Sequence, residues 1–169
     1  MRRLPQENPP GNLALVISLR HYRTEDFDRL LEIDKRCFIE GIAYDADELR
    51  HFFNLPTAAT LVAEETKTGA IHGFLVADRR SRRGAPGCMG RVITIDVVPE
   101  QQHLGIGTLL ITQAEKELKR GGCDQVVLEV AVNNQRALRF YKKHGYSVLK
   151  VLPNYYLDSI DGLMMGKRL

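Results

Sequence analysis

Val97-Val98-Pro99-Glu100-Gln101-Gln102-His103-Leu104-Gly105-Ile106-Gly107-Thr108-Leu109-Leu110 sets an apolar strand end, a turn with two glycines and the start of an amphipathic helix in direct succession. The first backbone N–H groups of a helix have no intrahelical acceptor and carry a partial positive charge. A glycine pair at that point lets a phosphate approach those donors with no Cβ in the way. The spacing is Gln102-x-x-Gly105-x-Gly107. A dinucleotide fingerprint needs a third glycine where Leu110 stands, and a Walker A loop needs Gly-Lys-Ser/Thr, so both are excluded. Taken alone, the turn has a second reading as a tight strand-to-helix connection with no ligand.

Working outward, Ile111, Ala114 and Leu118 recur on one face of the helix that starts at Gly105, and Gly121-Gly122 supplies its stop. Val126 to Val132 is apolar at every position but Glu129. That is too continuous for a half-exposed strand, and such a strand is expected to run parallel to its neighbour with both faces covered. Upstream, Leu13 to Arg20, Ala59 to Glu64, Ala70 to Asp78 and Val92 to Val98 read as strands. Thr24 is placed to cap a helix through Phe27, Leu30, Leu31, Ile33 and Phe38, and Asp45 to cap a shorter one carrying Leu49, Phe52 and Phe53. Between these helices Phe38-Ile39-Glu40-Gly41-Ile42-Ala43-Tyr44 is apolar for a loop, which fits either a binding surface or a cover for the sheet. After a further helix ending near His144, Tyr146 to Leu152 and Leu163 to Lys167 make a closing antiparallel pair. The order β-α-α-β-β-β-α-β-α-β-β over residues 13–169 predicts one α/β (α+β) domain with a mixed, mostly antiparallel sheet of about seven strands and about four helices. Residues 1–12, with three prolines and a glycine, read as a disordered leader.

A chain of 169 residues is long enough for one sizeable core and short for two. No apolar run reaches the roughly 20 residues of a membrane-crossing helix. Met1-Arg2-Arg3-Leu4-Pro5-Gln6 has no apolar signal core, so a cytoplasmic location without membrane association is expected. Cys37, Cys88 and Cys123 are odd in number and far apart, so reduced thiols and no metal site are expected, with Cys123 a small core residue. A formal net charge of +3 is too modest to indicate DNA binding. Arg79, Arg80, Arg82 and Arg83 gather before Gly84-Ala85-Pro86-Gly87, at what reads as the tip of a long hairpin. They form a solvated loop or, alternatively, a surface for an acidic protein, ribosomal RNA or the phosphates of a cofactor.

A second stretch, Val126-Val127-Leu128-Glu129-Val130-Ala131-Val132-Asn133-Asn134-Gln135-Arg136-Ala137-Leu138-Arg139-Phe140-Tyr141-Lys142-Lys143-His144-Gly145-Tyr146, puts a buried strand, an Asn, a short helix and a Gly-aromatic exit in order. Together the two stretches resemble the GNAT superfamily of acyl-CoA-dependent N-acetyltransferases. There, Arg/Gln-x-x-Gly-x-Gly/Ala is followed by Asn-x-x-Ala-x-x-x-Tyr-x-x-x-Gly-Phe/Tyr. Asn134, Ala137, Tyr141, Gly145 and Tyr146 fill the second pattern position by position. The resemblance spans residues 13–169 and is strongest over 90–146. It implies the GNAT fold, in which the two parallel strands splay apart and acetyl-CoA, the co-substrate, enters the gap.

The resemblance also implies roles. Ile95, Asp96 and Val97 would pair through their backbone with the pantetheine amides, the Val97 N–H facing the thioester oxygen. Gln102, His103, Leu104, Gly105, Ile106, Gly107 and Thr108 would bind the diphosphate, and Asn134 would hold the pantetheine arm from across the gap. Tyr141, one turn from Ala137 on the same helix face, would be the general acid toward the sulfur, since a phenol with a pKa near ~10 stays protonated at neutral pH. A core aromatic is the alternative. Glu129 interrupts an apolar strand, where a carboxylate is costly unless hydrated or paired. In bacterial N-terminal acetyltransferases of the superfamily a Glu at the matching position is the proposed base, acting directly or through water.

Asn154-Tyr155-Tyr156-Leu157-Asp158-Ser159-Ile160-Asp161-Gly162-Leu163-Met164-Met165 resembles the Tyr-Tyr loop and Asp-Ala-x-x-Met of ribosomal-protein alanine acetyltransferases and other protein N-terminal acetyltransferases. Tyr155 and Tyr156 would line the cleft for the acceptor, with Phe38 and Tyr44 in the facing wall. Gly162 stands where Ala is usual, and Ile39 and Gly41 where a proline is often present, which leaves side-chain selectivity open. An α-amine with a pKa near ~8 is partly neutral at physiological pH, whereas a lysine near ~10.4 needs roughly 3 kcal/mol more to lose its proton. The implied activity is direct acetyl transfer in a ternary complex to a protein or peptide N-terminus, ribosomal proteins included, by a monomer or homodimer. A small-molecule amine acetyltransferase and a non-catalytic acyl-CoA-binding module are the alternatives.

Overall fold

The computed structural model describes residues 15–82, 84 and 86–169; the expected leader, Leu13 and Ala14 of the first strand, and Arg83 lie outside them. Alternating apolar residues build seven strands: β1 (Ile17–His21), β2 (Ala58–Glu65), β3 (Ile71–Ser81), β4 (Cys88–Val97), β5 (Cys123–Ala131), β6 (Ser147–Tyr156) and β7 (Ile160–Arg168). They form one sheet in the order β1-β2-β3-β4-β5-β7-β6, antiparallel throughout except for β4 and β5. The expected mixed sheet with one parallel pair is therefore the observed one.

Successive side chains point to opposite faces, so each strand feeds two cores. Leu61, Leu75, Val126 and Leu128 pack under α3 (Ile106–Arg120) and α4 (Gln135–Lys143), while Val62, Phe74 and Val76 pack under α1 (Phe27–Cys37) and α2 (Ala46–Phe53). Asp45 caps α2 as expected, accepting from the Asp47 and Glu48 N–H groups while Glu48 accepts from the Asp45 N–H. Thr24 does not cap α1. The chain enters through a 3-10 turn, Thr24–Asp26, whose Asp26 carboxylate receives the Arg23 N–H at 2.8 Å and is held by Arg20 at 2.7 and 2.9 Å.

Two further expectations are corrected. β3 and β4 pair from Gly73↔Val97 to Ser81↔Cys88, which is the expected long hairpin, but Arg79 and Arg80 lie within β3 rather than in a loop. Arg80 is paired with Asp78 and Arg82 with Asp124, at the end of β4 remote from Gln102, so these arginines do not serve a phosphate at that turn. β4 starts well before its apolar run because Gly90 admits α3: a Cβ there would lie 2.6 Å from Leu118 Cδ1. The expected set of reduced thiols holds only for Cys37. The parallel register sets Cys88 opposite Cys123 with Cα atoms 4.3 Å apart, and the two are bridged by a disulfide, a proximity that spacing along the chain does not reveal.

Candidate active site

The β4–β5 ladder runs from Cys88↔Cys123 to Arg91↔Val127 and goes no further, although β4 stays paired with β3 up to Val97 and β5 with β7 up to Ala131. Beyond Arg91 the two central strands part. The inner edge of β4 over Ile95, Asp96 and Val97 faces this wedge, with Glu129 on the opposite strand. A parallel pair that stops pairing in mid-sheet leaves backbone donors and acceptors available to an extended, amide-bearing ligand.

At the wedge's mouth His103 (φ +71°) and Gly105 (φ +83°) take left-handed backbone, and the Ile106, Gly107 and Thr108 N–H groups open α3. A Cβ added to Gly105 would meet nothing within 4 Å, so the space beside those donors is open, as an anion would need. Gly107 has a different reason: a Cβ there would lie 3.3 Å from Phe140 Cε2, and its absence lets α4 approach α3. The Ile106 side chain is buried core, whereas Leu104 is exposed. The Gln102 side-chain amide donates to Val97 O at 2.7 Å and ties the loop to the strand end. His144 Nδ1–H donates to Phe140 O at 2.8 Å, which leaves Nε2 to accept from the Thr108 hydroxyl at 3.1 Å. Asn134 caps α4, its Oδ1 accepting the Ala137 N–H at 3.1 Å.

Tyr141 is buried on α4, edge-on to Phe140 with ring centroids 5.4 Å apart and 5.7 Å from Tyr146. Burial, with Asp96 and Tyr156 adding to it, raises its phenol well above the ordinary value, so the hydroxyl remains a proton donor at any physiological pH. Glu129 has the partner its position called for: the Arg91 guanidinium, whose Nε donates to Oε2 at 3.0 Å. Their side chains are only 13% and 20% exposed. Tyr44, Tyr155 and Tyr156 lie within electrostatic reach of this pair, and burial pushes the Tyr44 phenol up to about 12. Tyr155 and Tyr156 meet edge to face at 4.9 Å. Phe38, half-buried where α1 ends, makes no aromatic ring contact among the described residues.

The two walls touch. A Cβ on Gly41 (φ +85°) would lie 2.7 Å from Leu157 Cδ2, so the α1–α2 loop closes against the β6–β7 turn, where Leu157 and Asp158 both have positive φ as a type I′ turn requires. Gly162 has a similar explanation, since a Cβ there would come within 3.1 Å of Tyr155 Cβ. Gly41→Ala meets both left-handed strain and Leu157. It should cost about 1–2 kcal/mol and lower the melting temperature by roughly 3 °C per kcal/mol; a melting curve identical to wild type would show that the walls do not meet there.

Against this geometry, a family model described as Acetyltransferase (GNAT) family matches residues 27–146. The chain belongs to that family. This GNAT protein is 30% identical over 151 residues to an uncharacterized N-acetyltransferase of Methanocaldococcus jannaschii, covering 89% of this chain and 90% of the relative. It is also 30% identical over 157 residues to an N-alpha-acetyltransferase of Sulfurisphaera tokodaii, covering 88% and 90%. In fold it matches a chain from the NatC complex bound to Gag peptide and CoA, with a TM-score of 0.79 at 24% identity over 90% of this chain and 98% of that one. The protein is an acyltransferase.

Sequence reasoning missed Arg91, Asp34 and Cys37. Arg91 carried the same signal as Glu129, a charge inside a strand, and was overlooked because it falls in the stretch read as hairpin rather than strand. Cys37 Sγ lies 3.3 Å from Val97 O, and burial pushes its thiol up to about 12.

Proposed function

We propose that this GNAT enzyme transfers the acetyl group of acetyl-CoA directly to the N-terminal α-amine of a protein, ribosomal proteins among the candidates, in the cytoplasm. What carries this reading is that Tyr44, Tyr155 and Tyr156 lie within electrostatic reach of the Glu129–Arg91 pair, on two segments that meet where Gly41 touches Leu157 and would wall a cleft for the acceptor. A walled, aromatic cleft suits the extended first residues of a chain better than a compact free amine. Its relatives support the same class: the Sulfurisphaera protein is named an N-alpha-acetyltransferase, and the NatC structure holds a peptide and CoA. No helix of the described residues is long and apolar enough to cross a membrane.

The coenzyme supplies an acetyl thioester. Around it, the first-turn N–H groups of α3 hold the diphosphate, and the inner edge of β4 over Ile95, Asp96 and Val97 aligns the pantetheine. Asn134, its Oδ1 engaged in the cap, has its side-chain NH2 to offer the same arm. Glu129 draws a proton from the acceptor ammonium, directly or through water, and Tyr141 gives one to the departing thiolate. An acyl-cysteine route has no nucleophile: Cys88 and Cys123 are bridged, and Cys37 is a half-buried thiol held neutral.

The test is acetyl-CoA consumption by the purified chain against peptides varied in their first two residues, with spermidine and free lysine as controls. Turnover with a subset of peptides is the expected result. Activity on the free amines and on no peptide would assign the enzyme to small-molecule acetylation, and no binding heat from coenzyme in calorimetry would remove the wedge as its site.

A further inference from the structure

The carboxyls of Asp34 of α1 and Asp96 of β4 lie together between helix and sheet, 0% and 1% exposed and close enough to perturb each other, and the side chains of both stand outside the chemistry described above. Asp34 Oδ2 accepts the Tyr44 N–H at 2.7 Å, and Asp96 Oδ1 accepts the Thr94 hydroxyl at 3.0 Å. The other two oxygens, Asp34 Oδ1 and Asp96 Oδ2, are buried with no hydrogen-bond partner among the described residues. Two carboxylates in contact away from solvent cannot both be ionised, whereas one proton held between them satisfies both orphan oxygens.

We infer that the Asp34–Asp96 pair is a proton-sharing latch that fixes the wall of the acceptor cleft to the strand that aligns the acyl donor. From Asp34 the Tyr44 N–H carries the latch into the α1–α2 loop, and Tyr44 is the ring that lines the cleft. Asp96 lies next to Val97, the last residue of β4, whose carbonyl also receives Gln102 and Cys37. The shared proton thus governs the spacing between the acceptor amine and the thioester, and Asp34 and Asp96 are positioning residues. The assignment rests on the acceptor entering beside Tyr44.

The surroundings favour the protonated pair. Burial above all raises the Asp34 carboxyl to about 6 and that of Asp96 higher still, where the charge on Asp34 adds to the effect. Glu48 of α2 acts in the same sense on Asp34, while Lys35 and the Tyr44 N–H act against it. The Cys37 thiol, the Tyr44 phenol and, from α4, the Tyr141 phenol face the pair, and burial keeps all three neutral while it titrates. A carboxyl raised by folding keeps its proton in the native state after the unfolded chain has released its own. The pair therefore takes stability away as pH rises from an unfolded carboxyl value near ~4 through the folded value. Asp34→Asn has no such proton to lose: its NH2 donates to Asp96 and its carbonyl oxygen keeps the Tyr44 N–H.

The experiment compares wild type and Asp34→Asn, as full chains, from about pH 5 to about pH 9. Without substrate, the melting-temperature advantage of the variant should grow as pH rises. Protection of the Tyr44 amide, corrected for intrinsic exchange, should fall at the alkaline end in wild type and hold in the variant. With substrate, the wild-type-to-variant ratio of KM for the acceptor peptide should climb on the order of fivefold across the range, while the ratio for acetyl-CoA stays level. A melting difference that ignores pH, Tyr44 protection that does not respond, or an acceptor KM ratio that stays flat each overturns the latch. If no amine is acetylated at all, the proposed function falls, and the melting and exchange measurements still decide the latch.

Discussion

Tyr141→Phe lowers the turnover number by about two to three orders of magnitude while coenzyme affinity stays within about twofold. The substitution removes one hydroxyl and keeps the edge-on contact with Phe140 at 5.4 Å and the tilted one with Tyr146 at 5.7 Å, so the fold and the wall of the wedge remain. What goes is the proton for the departing sulfur, needed only as the thioester bond breaks, so kcat and kcat/KM fall together. Burial has raised the phenol, so the wild-type rate shows no alkaline decline from this group below about pH 10. Steady-state kinetics with calorimetric coenzyme titration check both parts, and a turnover number equal to wild type takes Tyr141 out of the chemistry.

Glu129→Gln reduces kcat/KM by about a hundredfold, most severely below the acceptor's own pKa near ~8, where the amine arrives protonated. The pairing with Arg91 complicates the reading, because removing a partner from a largely buried ion pair leaves the guanidinium short of its counter-charge. The double variant Glu129→Gln with Arg91→Gln separates the two effects. Activity restored by the second change means that Glu129 serves only to neutralise Arg91; a loss that persists, concentrated on the acid limb of the pH–rate profile, assigns the base to Glu129.

Much of the fold was legible because its signals are local. The strand-turn-helix at Gly105, the Asp45 cap of α2 and the continuous apolar run of β5 each state their structure within about ten residues, and all three stand as read. What escaped depends on register. Cys88 meets Cys123, Arg91 meets Glu129 and Asp34 meets Asp96 only once β4 lies between β3 and β5 and α1 packs across it. The roles of amide side chains were also hidden, since an Asn or Gln beside a helix start competes equally well for local backbone and for a ligand. Gln102 holds Val97 and Asn134 holds Ala137, which explains both residues without a bound molecule. Gly107 shows the same ambiguity: a glycine can mark room for a phosphate or room for a neighbouring ring, and the closeness of Phe140 accounts for it without a ligand.

The sheet amounts to two leaves sewn along four paired positions between β4 and β5, with the Cys88–Cys123 bridge at the bottom of the seam. If the coenzyme sits higher up as proposed, hydrogen-bonded to both leaves, it would replace the missing stitches, and at a hundred times its dissociation constant it would add about 2.7 kcal/mol to the folded state. Resistance to heat and to proteases would then rise with the supply of the acyl donor.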